Sequence, residues 1–258
     1  MMSRIKELIK YFELLKTSTQ KEFRGRYKKS VLGVLWSCLN PLFQLIIYAI
    51  VLSFVLRQEI DNYVCFLIIA LIPWNFLTSS INQSAVSIWA NHNLIKKVYF
   101  PREILPISIV TSNCISFLIS LLLVFAFIIF TGVGFSSVIL LLPVIILIQY
   151  LFVLGLSLIV SSVTVYFRDL EHIVSVLLNM LFYLTPIVYS IDFIPTNYLV
   201  FFKLNPMYHI INVYRDVLYY QRIPDLLSFG MLLLVSIAFF IISYLIFAKL
   251  EKRFAEEL

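Results

Sequence analysis

Charge is the scarcest commodity in this 258-residue chain: Asp, Glu, Lys and Arg together make up 13% of it. Soluble domains carry about 25%, so this chain lacks the charged surface that a globule of its size needs in water. Cysteine is nearly absent. Cys38, Cys65 and Cys114 show no CxxC spacing, which indicates neither a disulfide framework nor a metal site. Gly25, Gly33, Gly132, Gly134, Gly155 and Gly230 are the only glycines, and none precedes a Lys-Ser or Lys-Thr pair. The chain therefore has no phosphate-binding loop of the GxxxxGK[ST] type, and ATP that drives it must be bound elsewhere. A pI near 9.2 would suit nucleic acid. That reading needs a basic patch on a soluble fold, whereas here the basic residues separate apolar runs.

Apolar residues fill the space, at 61% of the chain and a mean hydropathy of +0.96. A span needs about 20 apolar residues. Six candidates are present, at 36–56, 63–89, 104–131, 138–165, 173–191 and 226–248. The expectation is an all-α integral membrane protein with six transmembrane helices. No cleavable signal segment is expected, because the first long apolar run begins only at Trp36.

Basic residues orient the spans. Residues 1–35 hold Arg4, Lys6, Lys10, Lys16, Lys21, Arg24, Arg26, Lys28 and Lys29. On the same side fall Lys96, Lys97, Arg102, Arg168, Lys249, Lys252 and Arg253, giving sixteen basic residues. The other side holds four, Arg57, Lys203, Arg215 and Arg222. Both termini are expected in the cytoplasm. The chain then divides into an interfacial segment 1–35, a membrane domain 36–248 and a cytoplasmic tail 249–258.

Three further segments carry pattern. Ile5, Leu8, Ile9, Phe12 and Leu15 recur at helical spacing, as in a helix lying in the interface. Segment 91–103 is short, amphipathic and stopped by Pro101. Segment 192–225 is too apolar for a free loop, yet Pro195, Pro206 and Pro224 break it. It reads as two short helices parted near Asn205-Pro206, with Met207, Ile210, Ile211, Tyr214, Val217 and Leu218 on one face. His209, Asn212, Arg215 and Asp216 fall on the other.

As drawn, no span contains Asp, Glu, Lys, Arg or His. That argues against an ion-coupled pump and against intramembrane acid–base catalysis. The polar content of the spans is neutral. Asn75, Thr78, Ser79, Asn82 and Gln83 share a face of the second span; Asn40 and Gln44, flanked by Trp36 and Phe43, share a face of the first. Both faces suit either helix packing or the lining of a lumen. Rows of small residues, Ser112, Ser116 and Ser120, then Ser157 and Ser161, suit packing. Aromatic rings make up 16% of the chain. Tyr48, Trp74, Phe76, Phe182, Tyr183 and Tyr189 are candidates for a sugar-stacking path, though each alone also suits packing.

The stretch RGRYKKSVLGVLWSCLNPLF at 24–43 resembles the start of the first span in polysaccharide-export permeases of the ABC-2 class. NLIKKVYFPREILP (93–106), VYFRDLEHIV (165–174), LTPIVYSIDFIP (184–195) and NPMYHIINVYRDVLY (205–219) agree in order over nearly the whole chain, closest to the O-antigen and teichoic-acid branches. The resemblance implies an exporter of lipid-linked polysaccharide in a bacterial inner membrane. It also implies a homodimer whose channel is lined by the first and fifth spans. Two copies of a separate ATPase would hold ATP and Mg, with no cofactor in this chain. Segment 91–103 would be the coupling helix, with Asn93, Leu94, Lys97, Tyr99, Pro101, Arg102 and Glu103 meeting the ATPase. Arg24, Arg26, Tyr27, Lys28, Lys29, Gly33 and Trp36 would form the gate helix for the lipid head group. Pro195, Asn205, Pro206 and Arg215 would belong to the outer gate. Export of teichoic acid, capsule, lipid or drug, and a passive assembly role, are the competing readings.

Overall fold

The computed structural model describes residues 7, 10–56 and 60–257, apart from the side chains of 52–56, 192, 255 and 256. Ile5, Leu8, Ile9, Arg4, Lys6 and Arg57 lie outside the described residues. Described residues form helices α1 Phe12–Tyr27, α2 Trp36–Leu56, α3 Tyr63–Ala90, α4 His92–Lys97, α5 Ile104–Thr131 and α6 Leu142–Tyr166. There follow α7 Leu170–Tyr183, α8 Leu199–Lys203, α9 Pro206–Leu218, α10 Leu226–Leu250 and α11 Phe254–Glu257. Five of these helical stretches are long and apolar enough to cross a membrane, and α7 is shorter.

α3 is the hub of the bundle. From Cys65 to Trp74 every residue on every face is buried, as expected of a helix that is apolar all round. α2, α5, α6, α7 and α9 pack on it. Deep in the bundle, buried Gln149 of α6 donates to the Pro73 carbonyl (2.8 Å) and accepts from the Tyr214 hydroxyl of α9 (2.8 Å). One amide thus ties three helices without leaving a polar group unpaired in an apolar core. α6 and α10 cross closely at Gly155, where an added Cβ would lie 3.0 Å from the Phe239 ring and 3.1 Å from Ser243 Oγ. Ser157 and Ser161 are fully buried, as the packing reading expects. Asp225 caps α10, its carboxylate accepting from the Ser228 N–H at 2.9 Å. The Ser228 side chain, and then its N–H, hold the Asp225 pKa below the ordinary carboxylate value.

Contacts gather at two ends. At one end Arg102 meets Glu251, Tyr166 meets Leu250, and the Arg168 guanidinium lies over Trp89. At the other, Tyr219 donates to the Asp61 carbonyl and Gln221 to that of Val133.

Three expectations need correction. The fifth span, read as 173–191, is a helix of 14 residues from Leu170 to Tyr183. At 1.5 Å per residue it reaches about 21 Å, short of the ~30 Å hydrocarbon core. Beyond it the chain turns through buried Thr185, Pro186, Ile187 and Val188. The Pro186 and Ile187 carbonyls do not continue a helical ladder; Arg215 takes both, through Nη1 at 2.6 Å and Nη2 at 2.8 Å. Second, Arg215 does not share an outward polar face with His209, Asn212 and Asp216. It is 3% exposed, its guanidinium 3.6 Å from the Phe66 ring centroid. Third, helix in 91–103 covers only His92–Lys97, because Val98 is extended and Pro101 follows. The two short helices expected in 192–225 are present as α8 and α9. Asn205 caps the second, its side chain accepting from the Met207 N–H at 3.0 Å, with Pro206 in the first turn.

Candidate functional site

α3 and α5 each run 28 residues, about 42 Å, so each overhangs a ~30 Å core by about 12 Å. α1 docks on α5, and its last turn places Arg26 and Tyr27 against Asn113 and Ser116. These lie about 14–18 Å along α5 from its start, at 1.5 Å per residue. The chain then breaks. Lys28 is extended, and Lys29 and Gly33 have φ of 66° and 50°. Gly33 suits such a φ, whereas Lys29 adopts it at some cost. The Arg26–Trp36 stretch is thus an elbow and not one gate helix. A short helical turn at Gly33–Leu35 leads into α2.

The elbow borders a half-open cavity of about 670 Å³ between α1, α2, α3 and α5. Arg26, Tyr27 and Trp36 of the expected gate line it together with Asn40, Phe43, Gln44 and Phe76 of the expected channel. Two sets assigned separately from sequence therefore form one site. The neutral face of α3 contributes Asn75, Thr78, Ser79 and Gln83.

Arg26 is the cation that lines this space, amid neutral polar groups. Its Nη1 donates to Asn113 Oδ1 at 2.5 Å, and the Asn113 amide donates to Gln83 Oε1 at 3.3 Å. Nη2 is buried without a hydrogen-bond partner among the described residues. Desolvation lowers the Arg26 pKa, an effect that Tyr27 and Glu22 oppose. Tyr27 bonds to Ser37 and, at 3.4 Å, to Ser116; Ser120 donates to the Ser37 carbonyl at 2.7 Å. The serine row of α5 therefore holds the elbow as well as packing. The Asn75 amide donates to Gln44 Oε1 at 2.7 Å. Asn113 went unnoticed in the sequence, although its spacing to Ser116, Phe117 and Ser120 marks the same face.

Arg24, Lys28 and Lys29 are exposed outside the cavity. Tyr48, Trp74, Phe182, Tyr183 and Tyr189 gather elsewhere. Phe182 stacks on Tyr48 (5.5 Å) and meets the edges of Trp74 (5.8 Å) and Tyr183 (5.3 Å), while Tyr189 donates to the Tyr183 carbonyl at 2.6 Å. Trp74 and Phe182 are buried and Tyr183 is two-thirds exposed, so this cluster anchors the end of α7 to α2 and α3. Pro195 is exposed, apart from the Arg215 network. In that network the Asn205 amide donates to Thr185 Oγ1 at 2.7 Å and Tyr63 to the Val188 carbonyl at 2.7 Å.

In the 91–103 segment, Asn93, Leu94, Lys97 and Tyr99 are exposed, while Pro101 and Glu103 are buried. The Tyr99 hydroxyl donates to Glu7 at 3.0 Å, which raises the Tyr99 pKa. Arg102 and Glu103 point inward, toward the C-terminal end of α10.

Residues 13–219, taking in the elbow, the cavity and the outer helices, match the ABC-2 type transporter family. The chain belongs to that family. It is 34% identical to the O-antigen export system permease protein RfbA of Myxococcus xanthus over the whole of both chains. It is 38% identical to the RfbA protein of Klebsiella pneumoniae, over 95% of each. The polysialic acid transport protein KpsM of Escherichia coli is 22% identical, over 93% of this chain and 96% of its own. This ABC-2 chain is a multi-pass protein of the bacterial inner membrane. As a permease subunit it works with a separate ATPase subunit.

Proposed function

We propose that this permease moves a lipid-linked cell-surface polysaccharide, O antigen, across the inner membrane, driven by ATP and Mg on a separate ATPase. The observation that carries this reading is the cavity: one cationic head, its Nη2 without a partner among the described residues, set among neutral amides, hydroxyls and aromatic rings. The Arg26 guanidinium suits the phosphate of an anionic lipid head group. Neutral amides and ring faces suit a sugar chain that must pass without tight binding. Asn40 and Gln44 are exposed along α2. Amides facing lipid would be costly, so this face suits a polar path closed by a second copy of the chain. Two permeases and two ATPases make up the working complex.

With six crossings, α7 and the following turn forming the fifth, both termini lie in the cytoplasm. The sixteen-to-four basic asymmetry supports this orientation. α8 and α9 then sit in the outer membrane half, at the mouth of the path. A Phe135→Cys variant should react with an impermeant thiol reagent from the periplasm alone; labelling from the cytoplasm contradicts the orientation. Export itself is tested in vesicles that hold the permease and its ATPase. ATP-dependent transfer of lipid-linked polymer by a complex with two copies of each is the expected result. ATP hydrolysis without transfer contradicts it.

A further inference from the structure

Ten residues at the C-terminus read from sequence as a solvated tail. The structure treats one of them as core. Phe254 is fully buried, its ring centroid 5.8 Å from Phe247 and 6.1 Å from Tyr166, with the Arg102 guanidinium 5.9 Å away. Carbonyls at the end of α10 and in the turn after it receive donors from two other segments; that of Glu251 also accepts from the Phe254 N–H. Tyr166 donates to the Leu250 carbonyl at 2.7 Å, and Arg102 Nη1 to the Glu251 carbonyl at 2.6 Å. A cation at a helix C-terminus also complements the helix dipole. The Arg102 N–H reaches Glu251 Oε1 at 3.4 Å, and the Tyr244 hydroxyl of α10 donates to buried Glu103 at 3.1 Å.

These contacts tie three elements at one point: the end of segment 91–103, the end of α6 and the end of α10. Upstream, Ile95, Phe100 and Pro101 are buried while Leu94, Val98 and Tyr99 stand out 42%, 54% and 74% exposed. One face of the segment is anchored and the other is presented.

We propose that the C-terminal turn 251–254 is a positioning element that locks α10 to the coupling segment, so that a push from the ATPase moves α5 and α10 as one body. Arg102, Glu103, Tyr244 and Phe254 are positioning residues; the ATPase is met by Leu94, Val98 and Tyr99. This inference rests on the transport reading above. Interfaces that must pass motion need contacts that resist shear. Three hydrogen bonds that involve a charged group and one buried ring supply that here, where an unanchored tail would slip.

The test uses the permease–ATPase complex in vesicles and reads polymer exported per ATP hydrolysed, normalised to assembled complex. Arg102→Ala and Tyr244→Phe should each lower that ratio by about tenfold to a hundredfold, the scale of one hydrogen bond to a charged group. Arg102→Lys should recover part of it, and Lys249→Ala, on an exposed side chain outside the turn, should match wild type. A merely structural turn would lower the amount of complex and leave the ratio at wild type, which would overturn the proposal. A second measurement does not depend on the folding of those variants. Spin labels on Leu94→Cys and Lys252→Cys should keep one separation through the ATP cycle, and a change of separation would also overturn it. Wild-type vesicles that hydrolyse ATP but export nothing would overturn the transport reading instead.

Discussion

Arg215→Met should unfold well below wild type, with a stability loss of about 2–6 kcal/mol. The loss follows from what the guanidinium does. It takes the Pro186 and Ile187 carbonyls at 2.6 and 2.8 Å, in a stretch that has left the helical ladder and is buried. A buried acceptor left without its donor costs about 1–3 kcal/mol, and two are orphaned here. Irregular backbone at membrane depth is tolerated only where protein satisfies it, so no lipid or loop can substitute. Methionine fills the space against Phe66 and isolates the hydrogen-bonding effect. Lysine is a point charge without the planar fork and should restore only part of the loss. Thermal unfolding of the purified variants in detergent reads the order wild type, Arg215→Lys, Arg215→Met. A methionine variant with wild-type Tm would contradict the clamp.

Arg26→Gln should leave the amount of folded permease near wild type and lower apparent affinity for the lipid-linked substrate about tenfold to a hundredfold, the worth of one hydrogen bond to a charged group. Glutamine removes the charge and keeps a polar side chain, and the Asn113 amide can still donate to Gln83. Arg24, Lys28 and Lys29 supply only surface attraction, about 1 kcal/mol per basic residue near an anionic leaflet, and salt screens it. Transport assays across substrate concentration, at low and high salt, separate the two. The Arg26→Gln defect should persist at high salt, and the Lys29→Gln defect should fade. Equal, equally screened defects would remove Arg26 from any special role.

The long helices were legible because uninterrupted apolar runs are a local signal. The runs 36–56, 63–89, 104–131 and 226–248 match α2, α3, α5 and α10 to within two residues. The fifth span misled for a non-local reason. Composition stays apolar through Ile191, but the backbone leaves the helix at Tyr183 because Pro186 interrupts it and Arg215, 29 residues on, takes the freed carbonyls. Arg215 misled in turn because its spacing groups it with His209 and Asn212, and only packing against Phe66 reveals that its face of α9 is buried. Half of the cavity was legible as polar faces on the first two spans. The elbow that folds Arg26 back to meet them depends on contacts 87 residues apart. Phe254 carried a faint signal, a lone ring in a charged run, and its pocket exists only once α6 and α10 are side by side.

The central claim is that this chain provides the path for a lipid-linked polysaccharide and leaves the energy to a partner. The most direct measurement reconstitutes the permease with its ATPase in sealed vesicles and follows purified lipid-linked polymer into the lumen. Transfer should require the permease, the ATPase and hydrolysable ATP together, and should fail in Arg26→Gln at limiting substrate. Full-rate transfer without ATP, or ATP hydrolysis with no polymer crossing, would contradict it.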